Sequence, residues 1–309
     1  MSDAFLAIIN PAAGGGRCGK LAKAALDKLR AAGVEVEVAE TSGTGDATRI
    51  ARRAYARGQR QFIAVGGDGT AYEIVNGLFP EAETAGKPVL GFLPLGTGNS
   101  FLRDFTSNGA EHAREAILAD TRTSSDVLCL KHSGGKLYFI NLLSVGFTAN
   151  VTAAANRLFK GLGELGYLLA VLICLARLRR QAFPLRADGD TEFDRKRCLF
   201  LSFNNSKYTG GKMKIAPQAS TADGLIEYVR WGPIGRVGLL RNLQTLFDGT
   251  HIDHPLASRR GVQRIEFALD DRVDVMIDGE VLTLKCETVE VLPGVLDVLV
   301  CAFTPKNPA

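Results

Sequence analysis

A chain of 309 residues that is 46% hydrophobic and 23% charged is long enough for two domains of ordinary size and is not an intrinsically disordered protein. Its formal net charge of +4 is too mild for an electrostatic nucleic-acid footprint, so no nucleic-acid partner is expected, although anionic lipid and phosphorylated ligands remain attractive to it. Six cysteines scattered without a CxxC pair exclude a disulfide framework and a zinc finger.

The first expected element is an apolar strand, Phe5 to Ile9. The loop Asn10-Pro11-Ala12-Ala13-Gly14-Gly15-Gly16-Arg17 follows, then a helix from about Lys20 to Ala32 stopped by Gly33. Gly14, Gly16 and Gly19 satisfy GxGxxG, and Gly14 to Lys20 satisfies GxxxxGK. The Walker reading fails at Leu21, where a metal-holding hydroxyl should stand. The dinucleotide reading is better placed, since Val34 to Glu40 forms a second strand with Glu37 or Glu40 near the position of a ribose-binding acid. Three adjacent glycines generate such matches cheaply, and the Asn-Pro before them argues for a different turn.

Val34, Val36 and Val38 alternate with acids, the pattern of a half-exposed strand near a sheet edge. Thr41 to Asp46 is a hydroxyl-rich loop before a helix from Ala47 to Arg57. Thr41 is placed to touch a nucleotide, while Thr44 or Asp46 reads as a helix N-cap. Next comes an apolar strand, Phe62 to Val65, the turn Gly66-Gly67-Asp68-Gly69-Thr70, and a helix from Ala71 to Leu78. Glycines after a buried strand let backbone N–H groups approach a phosphate, and the helix start adds partial positive charge. Asp68 would repel phosphate oxygens unless a divalent cation or a neighbouring donor lay between, which points to a Mg²⁺-nucleotide. Glycine and aspartate also dominate plain turns. The arrangement recurs, however, where a fourth strand, Pro88 to Leu93, runs into Pro94-Leu95-Gly96-Thr97-Gly98-Asn99. Alternating strands and helices imply a parallel sheet with ligands beyond its carboxyl ends, so the Gly14, Gly67 and Gly96 turns should share one rim.

From about Asp126 the pattern changes to short strands separated by turns: Val127 to Leu130, Leu137 to Leu143, Cys198 to Asn204, Leu225 to Arg230, Ile265 to Leu269, Val273 to Ile277 and Val289 to Leu292. That is an antiparallel domain, so the expected domains are 1–125 and 126–309. Helical stretches at about Val151 to Phe159, Gly163 to Gln181 and Ile234 to Phe247 interrupt it. Trp231 reads as core packing. His251 and His254 lie in a loop-like stretch without cysteine partners, which argues against a metal pair. No leader-like segment opens the chain, and the most apolar run, Leu165 to Ala176, is shorter than the ~20 residues of a spanning helix. A cytoplasmic protein, peripheral at most at the inner membrane surface, is expected.

Asn10-Pro11 with its glycines, Gly66 to Thr70, Pro94 to Asn99, Lys212 to Pro217, Ala222-Asp223-Gly224-Leu225 and Asp278-Gly279-Glu280 together resemble, in order, the motifs of the diacylglycerol kinase catalytic-domain family, which includes sphingosine kinases and soluble bacterial lipid kinases. The resemblance covers nearly the whole chain. GGDGT alone is shared with NAD kinases; the later motifs are more specific. The resemblance implies an α/β plus β fold: an amino-terminal three-layer α/β nucleotide-binding domain like that of NAD kinases and diacylglycerol kinases, and a carboxyl-terminal β-sandwich whose last segment packs back on the first domain. It implies ATP and Mg²⁺ as cofactors, and as acceptor a lipid alcohol such as diacylglycerol, a sphingoid base or ceramide, met at a transient membrane surface.

Carried over by residue, the nucleotide would be held by Asn10, Pro11, Ala12, Ala13 and Gly14, by Thr41, by Gly66, Gly67, Asp68, Gly69, Thr70, Ala71 and Tyr72, and by Thr97, with Asp68 acting through magnesium. Glu280 would be the catalytic proton acceptor with Asp278 supporting it; the same Asp-Gly-Glu also reads as a hairpin turn. In some bacterial members a second, structural magnesium lies near a motif like this one, which would make the Asp223 carboxylate and the carbonyls of Ser220 and Leu225 metal ligands; an Asx-type turn is the alternative. Ser100 stands where many relatives carry Asp, and this leaves the acceptor open. Lys160, Arg177, Arg179 and Arg180 flank the apolar helix around Leu165 to Leu175, which is either an interfacial element or a buried helix with a solvated basic end. An NAD kinase and a catalytically silent lipid- or nucleotide-binding regulator are the rival functions. Exposed edge strands permit a homodimer.

Overall fold

A computed structural model of the protein describes residues 4–158, 170, 173–175, 178, 180–210 and 212–301; the helix expected around Leu165 to Leu175, with Lys160, Arg177 and Arg179, lies largely outside them. The chain divides into two units, Met1–Ser125 with Gly294–Ala309, and Asp126–Pro293.

In the first unit, strands β1 (Phe5–Ile9), β2 (Val36–Glu40), β3 (Gln61–Gly66) and β4 (Val89–Pro94) lie in the order β2-β1-β3-β4, every neighbouring pair parallel. The chain's return adds a further parallel strand, with Asp297 opposite Val89. β1, β3 and β4 are apolar runs, almost wholly buried, as strands covered on both faces must be; β2, at the edge, leaves Glu37, Val38 and Glu40 exposed. Helices α1 (Arg17–Ala31), α2 (Asp46–Ala56), α3 (Asp68–Leu78) and α4 (Gly109–Leu118) complete the unit, Leu26 and Leu29 of α1 packing with Ile9, Val65 and Leu93. The strand order reverses between β1 and β3, so the loops after them open at a topological switch point.

α1 and α3 begin three residues earlier than expected. Gly16, at φ 87, turns the chain directly into α1, and Asp68 suits the positive end of α3. Neither Thr44 nor Asp46 caps α2. Gly45 holds the cap position, the Asp46 carboxylate accepts from the Ser42 N–H and hydroxyl at 2.9 and 2.6 Å, and Glu73 of α3 accepts from the N–H groups of Gly45 and Ala47 at 2.8 and 3.1 Å. A carboxylate from a distant helix replaces the local cap.

The second unit takes up β5 (Arg122–His132), which begins in the first unit, and continues with β6 (Gly135–Phe139), β7 (Leu142–Gly146), α5 (Phe147–Leu158), β8 (Leu185–Ala187), β9 (Phe200–Asn204) and β10 (Ile226–Trp231). After the short helices α6 (Arg236–Arg241) and α7 (Thr245–Asp248) come β11 (Ala257–Val262), β12 (Arg264–Phe267), β13 (Val273–Ile277), β14 (Glu280–Leu284) and β15 (Cys286–Leu299). One layer of the sandwich is the antiparallel sheet β11-β10-β9-β7-β13-β14; the other is β6-β5-β15-β12-β8. Phe203 of β9 meets Phe267 of β12 edge-on, 5.4 Å between ring centroids. The single helix expected over Ile234 to Phe247 is broken in two: the Asn242 side chain donates to Gly238 O at 2.8 Å and the Thr245 hydroxyl to Asn242 O at 2.6 Å, local bonds that compete with a continuous helix. Trp231 is fully buried in the core beside Phe200.

Candidate active site

The three glycine turns meet at the carboxyl ends of β1, β3 and β4. Asn10 N–H donates to Val65 O at 3.0 Å and Gly96 N–H to Gly66 O at 2.8 Å, so main chain ties each turn to the next. A Cβ on Gly96 would lie 2.4 Å from Gly67 Cα, and one on Gly14, at φ +62, would lie 2.8 Å from Leu95 O. Backbone packs on backbone here, and no residue but glycine permits it. Asn10 Oδ1 accepts from Ala12 N–H at 3.2 Å, and Thr41 N–H donates to Ile9 O at 2.8 Å, which brings Thr41 to the same rim. Thr97 is exposed. Gly19, the last glycine of the GxGxxG match, lies inside α1 against Pro11, after a run of left-handed glycines that gives the loop its own shape.

No side chain caps α3, and the N–H groups of Gly67, Asp68 and Gly69 have no acceptor among the described residues. Those of Thr70 and Ala71 donate back to Gly67 O at 3.0 and 3.3 Å. Thr70 Oγ1 is buried without a hydrogen-bond partner, 2.3 Å from where a Gly66 Cβ would sit. Free donors at a helix start and an orphan hydroxyl, packed so closely on Gly66 that no side chain fits there, suit the phosphates of a nucleotide. With the Thr70 and Ala71 N–H groups so used, the free donors end at Gly69; Ala71 and Tyr72 are buried within α3.

Asp68 uses both carboxylate oxygens on the Ser100 N–H, at 2.8 and 3.0 Å. Burial pushes its carboxyl above the usual range, against the lowering pull of the Ser100 and Phe101 N–H groups, the Ser100 hydroxyl and Arg103. Gly98 makes the approach feasible, since a Cβ there would lie 2.8 Å from Asp68 Oδ2. Ser100, itself buried, therefore serves through its backbone as the partner that locks the third turn to the second. Arg17 is a residue that motif reading passed over: its Nη2 donates to Gly96 O at 3.0 Å, so a guanidinium bridges the first and third turns. Its signal was a basic residue directly after the glycine run.

In the second unit, Asp278-Gly279 joins β13 to β14 at φ +47 and +94, the left-handed pair of a type I′ hairpin. Asp278 is 4% exposed. Its Oδ1 accepts from the N–H groups of Asn141 and Leu142 at 3.1 and 2.9 Å, and its Oδ2 from that of Ile140 at 3.1 Å. Three charge-assisted bonds thus fix the turn, while Glu280, the next residue but one, is exposed. Asp278 is thus the anchor of the turn, and Glu280 is the carboxylate left facing outward.

At the expected second metal position, Asp223 is exposed and its Oδ1 accepts from Leu225 N–H at 3.0 Å, the Asx-turn arrangement. Among the described residues no three His, Cys, Asp or Glu side chains cluster to hold a metal ion. His251 is buried, its ring nitrogens 3.2 and 3.1 Å from Thr245 O and Ile215 O.

Residues 4–130 match the diacylglycerol kinase catalytic domain, and residues 141–300 match the YegS C-terminal NAD kinase beta sandwich-like domain. The chain is 31% identical to a diacylglycerol kinase of Bacillus subtilis over 278 residues, 88% of each protein. It is 34% identical to a "Probable lipid kinase YegS-like" of Pseudomonas aeruginosa over 290 residues, 92% of this chain and 90% of that one. The crystal structure of a diacylglycerol kinase from Bacillus anthracis has the same fold, with a TM-score of 0.69 at 21% identity over 97% of both chains. With glycine turns, hairpin and both domains accounted for, the chain belongs to the diacylglycerol kinase family and is a lipid kinase, a phosphotransferase.

Proposed function

We propose that this kinase transfers the γ-phosphoryl group of ATP to the hydroxyl of a lipid alcohol at a membrane surface, with Glu280 as general base and Mg²⁺ assisting. Relatives named diacylglycerol kinase favour diacylglycerol as the acceptor. The observation that carries the reading is the free donor set at the start of α3, Gly67 to Gly69 with the orphan Thr70 hydroxyl, because N–H donors at a helix start after a glycine turn are suited to phosphate oxygens.

A lipid hydroxyl is a poor nucleophile at neutral pH. Glu280 takes its proton as the hydroxyl oxygen attacks the γ-phosphorus and the bond to the bridging oxygen of the leaving ADP breaks. The N–H groups of the cradle and the Arg17 guanidinium bind phosphate charge; Thr41 and the Asn10–Gly14 loop bind the rest of the nucleotide. Asp68 is the acid of the cradle, and its carboxylate has lone pairs beyond those given to Ser100, so it is the residue that would hold Mg²⁺, which supplies positive charge to the phosphates. At Asp223 the turn leaves Oδ2 and the carbonyls of Ser220 and Leu225 for a second ion.

The test is transfer from γ-labelled ATP with Mg²⁺ to mixed micelles carrying diacylglycerol, a sphingoid base or ceramide, with NAD in a parallel reaction. Labelled lipid supports the reading and names the acceptor. Label in NADP, or none anywhere while ATP still binds, overturns it.

A further inference from the structure

Asn205, directly after β9, is fully buried, yet every bond its side chain makes is polar. Its Nδ2 donates to Asp126 O at 3.0 Å and to Ile140 O at 2.8 Å, and its own N–H donates to Asn141 O at 2.8 Å. Ser206 N–H donates to the same Asn141 carbonyl at 3.2 Å, and the Ser206 hydroxyl to Asn141 Oδ1. The carbonyls of Ile140 and Asn141 belong to the peptide groups whose N–H ends, on Asn141 and Leu142, hold Asp278 Oδ1. Each of these two peptides is therefore gripped from both ends, by Asn205 and Ser206 on one side and by Asp278 on the other, and hydrogen bonds in such a chain strengthen one another.

Strand register produces the meeting. Asn204 lies opposite Leu142 across β9 and β7, and Ile277 lies opposite Leu143 across β13 and β7, so the ends of three adjacent strands converge. The Asn205 amide cannot be turned over, because Oδ1 would then face two carbonyls. As it stands, Oδ1 is buried without a hydrogen-bond partner, an unfavourable arrangement kept alongside two well-placed donors.

We infer that Asn205 is a positioning residue for phosphoryl transfer: it clamps two of the three peptides that hold Asp278, and through the Asp278-Gly279 turn it sets where the Glu280 carboxylate stands. The inference rests on Glu280 being the base. A displacement of ~1 Å in a catalytic group can cost ~10²-fold in rate, so a clamp that reaches the base through Asp278, two residues from it, matters even without touching substrate.

Asn205→Ala, Glu280→Gln and the double variant test it, with folded fraction, nucleotide affinity by titration, kcat and lipid KM measured for each. Expected is a loss of ~10-fold or more in kcat for Asn205→Ala, with nucleotide affinity and lipid KM within about twofold. In the Glu280→Gln background the same substitution should change the residual kcat by less than about twofold, because two groups acting through one another are not additive. Ser206→Ala, which removes one bond, should give a milder loss of the same kind and replaces Asn205→Ala if that variant does not fold. A lowered melting temperature with kcat per folded molecule unchanged, or losses that multiply in the double variant, would overturn the inference. If Glu280→Gln keeps wild-type kcat, the base assignment itself falls and takes the clamp with it; if Glu280→Gln is inactive and the clamp variants are not, the clamp alone falls.

Discussion

The rim of glycine turns in the first unit is held by main chain packed on main chain, Gly96 on Gly67 and Gly14 on Leu95 O, whereas the Asp278-Gly279 turn of the second is held by one buried carboxylate, Asp278, on three N–H groups. The first arrangement is sensitive to volume and the second to charge. Gly279 illustrates the contrast, since a Cβ there meets nothing within 4 Å, while at Gly96 it meets backbone. A function that needs close approach to an anion uses glycine, and one that needs a fixed carboxylate in a turn uses a second, buried carboxylate to hold it.

The largest effect is expected at Asp278. Asp278→Ala leaves three buried N–H groups without their acceptor and should cost about 3 kcal/mol or more of stability, read as a fall in the denaturant midpoint, with activity lost as the Glu280 turn loosens. Gly96→Ala comes next, at about 1–3 kcal/mol from overpacking together with loss of nucleotide binding in a titration. Its control, Gly279→Ala, suffers left-handed strain of about 1–2 kcal/mol and should leave nucleotide binding intact. If both glycine variants bound ATP equally well, the volume argument would be wrong.

A smaller effect separates charge from volume inside the cradle. Burial raises the Asp68 carboxyl, so the folded protein favours the neutral form, and stability should fall as pH rises from the ordinary carboxylate range through the raised value. Below that window both states are protonated and nothing is lost. Asp68→Asn removes the term while keeping an oxygen for the Ser100 N–H. Its melting temperature should match the wild type at the acid end and exceed it at neutral pH; a constant offset at every pH would contradict the burial argument. The smallest effect belongs to Asp223→Asn, which keeps the Asx turn and should lie within about 0.5 kcal/mol of wild type without divalent ions. A thermal upshift with Mg²⁺ that the variant lacks would reveal a second ion there.

What was legible in the sequence follows the same division. The glycine turns and the Asp-Gly hairpin are local, so the order of their residues announces them: Gly66 to Thr70 spans the junction of β3 and α3, Gly96 to Asn99 follows β4, and Asp278-Gly279 joins β13 to β14. Partners supplied from far along the chain were not legible. Ser100 on Asp68, Glu73 on the start of α2 and Asn205 beneath Asp278 are separated from their partners by 32, about 28 and more than 60 positions, and no periodicity points to them. β11, Ala257–Val262, is a polar edge strand with no alternation to announce it, and β15 runs on to Leu299, past the expected Val289 to Leu292 and through Pro293, since a strand tolerates proline where no ladder donor is required.

The proposed division of roles between Glu280 and the glycine turns is tested by kcat for lipid phosphorylation in Glu280→Gln, with ATP affinity measured on the same protein by equilibrium titration. The expected result is a loss of ~10²-fold or more in kcat, the low end for removal of a general base, with ATP affinity unchanged, because the proposed nucleotide cradle is built from the first unit. Wild-type turnover in that variant, or loss of ATP binding in step with activity, would contradict it.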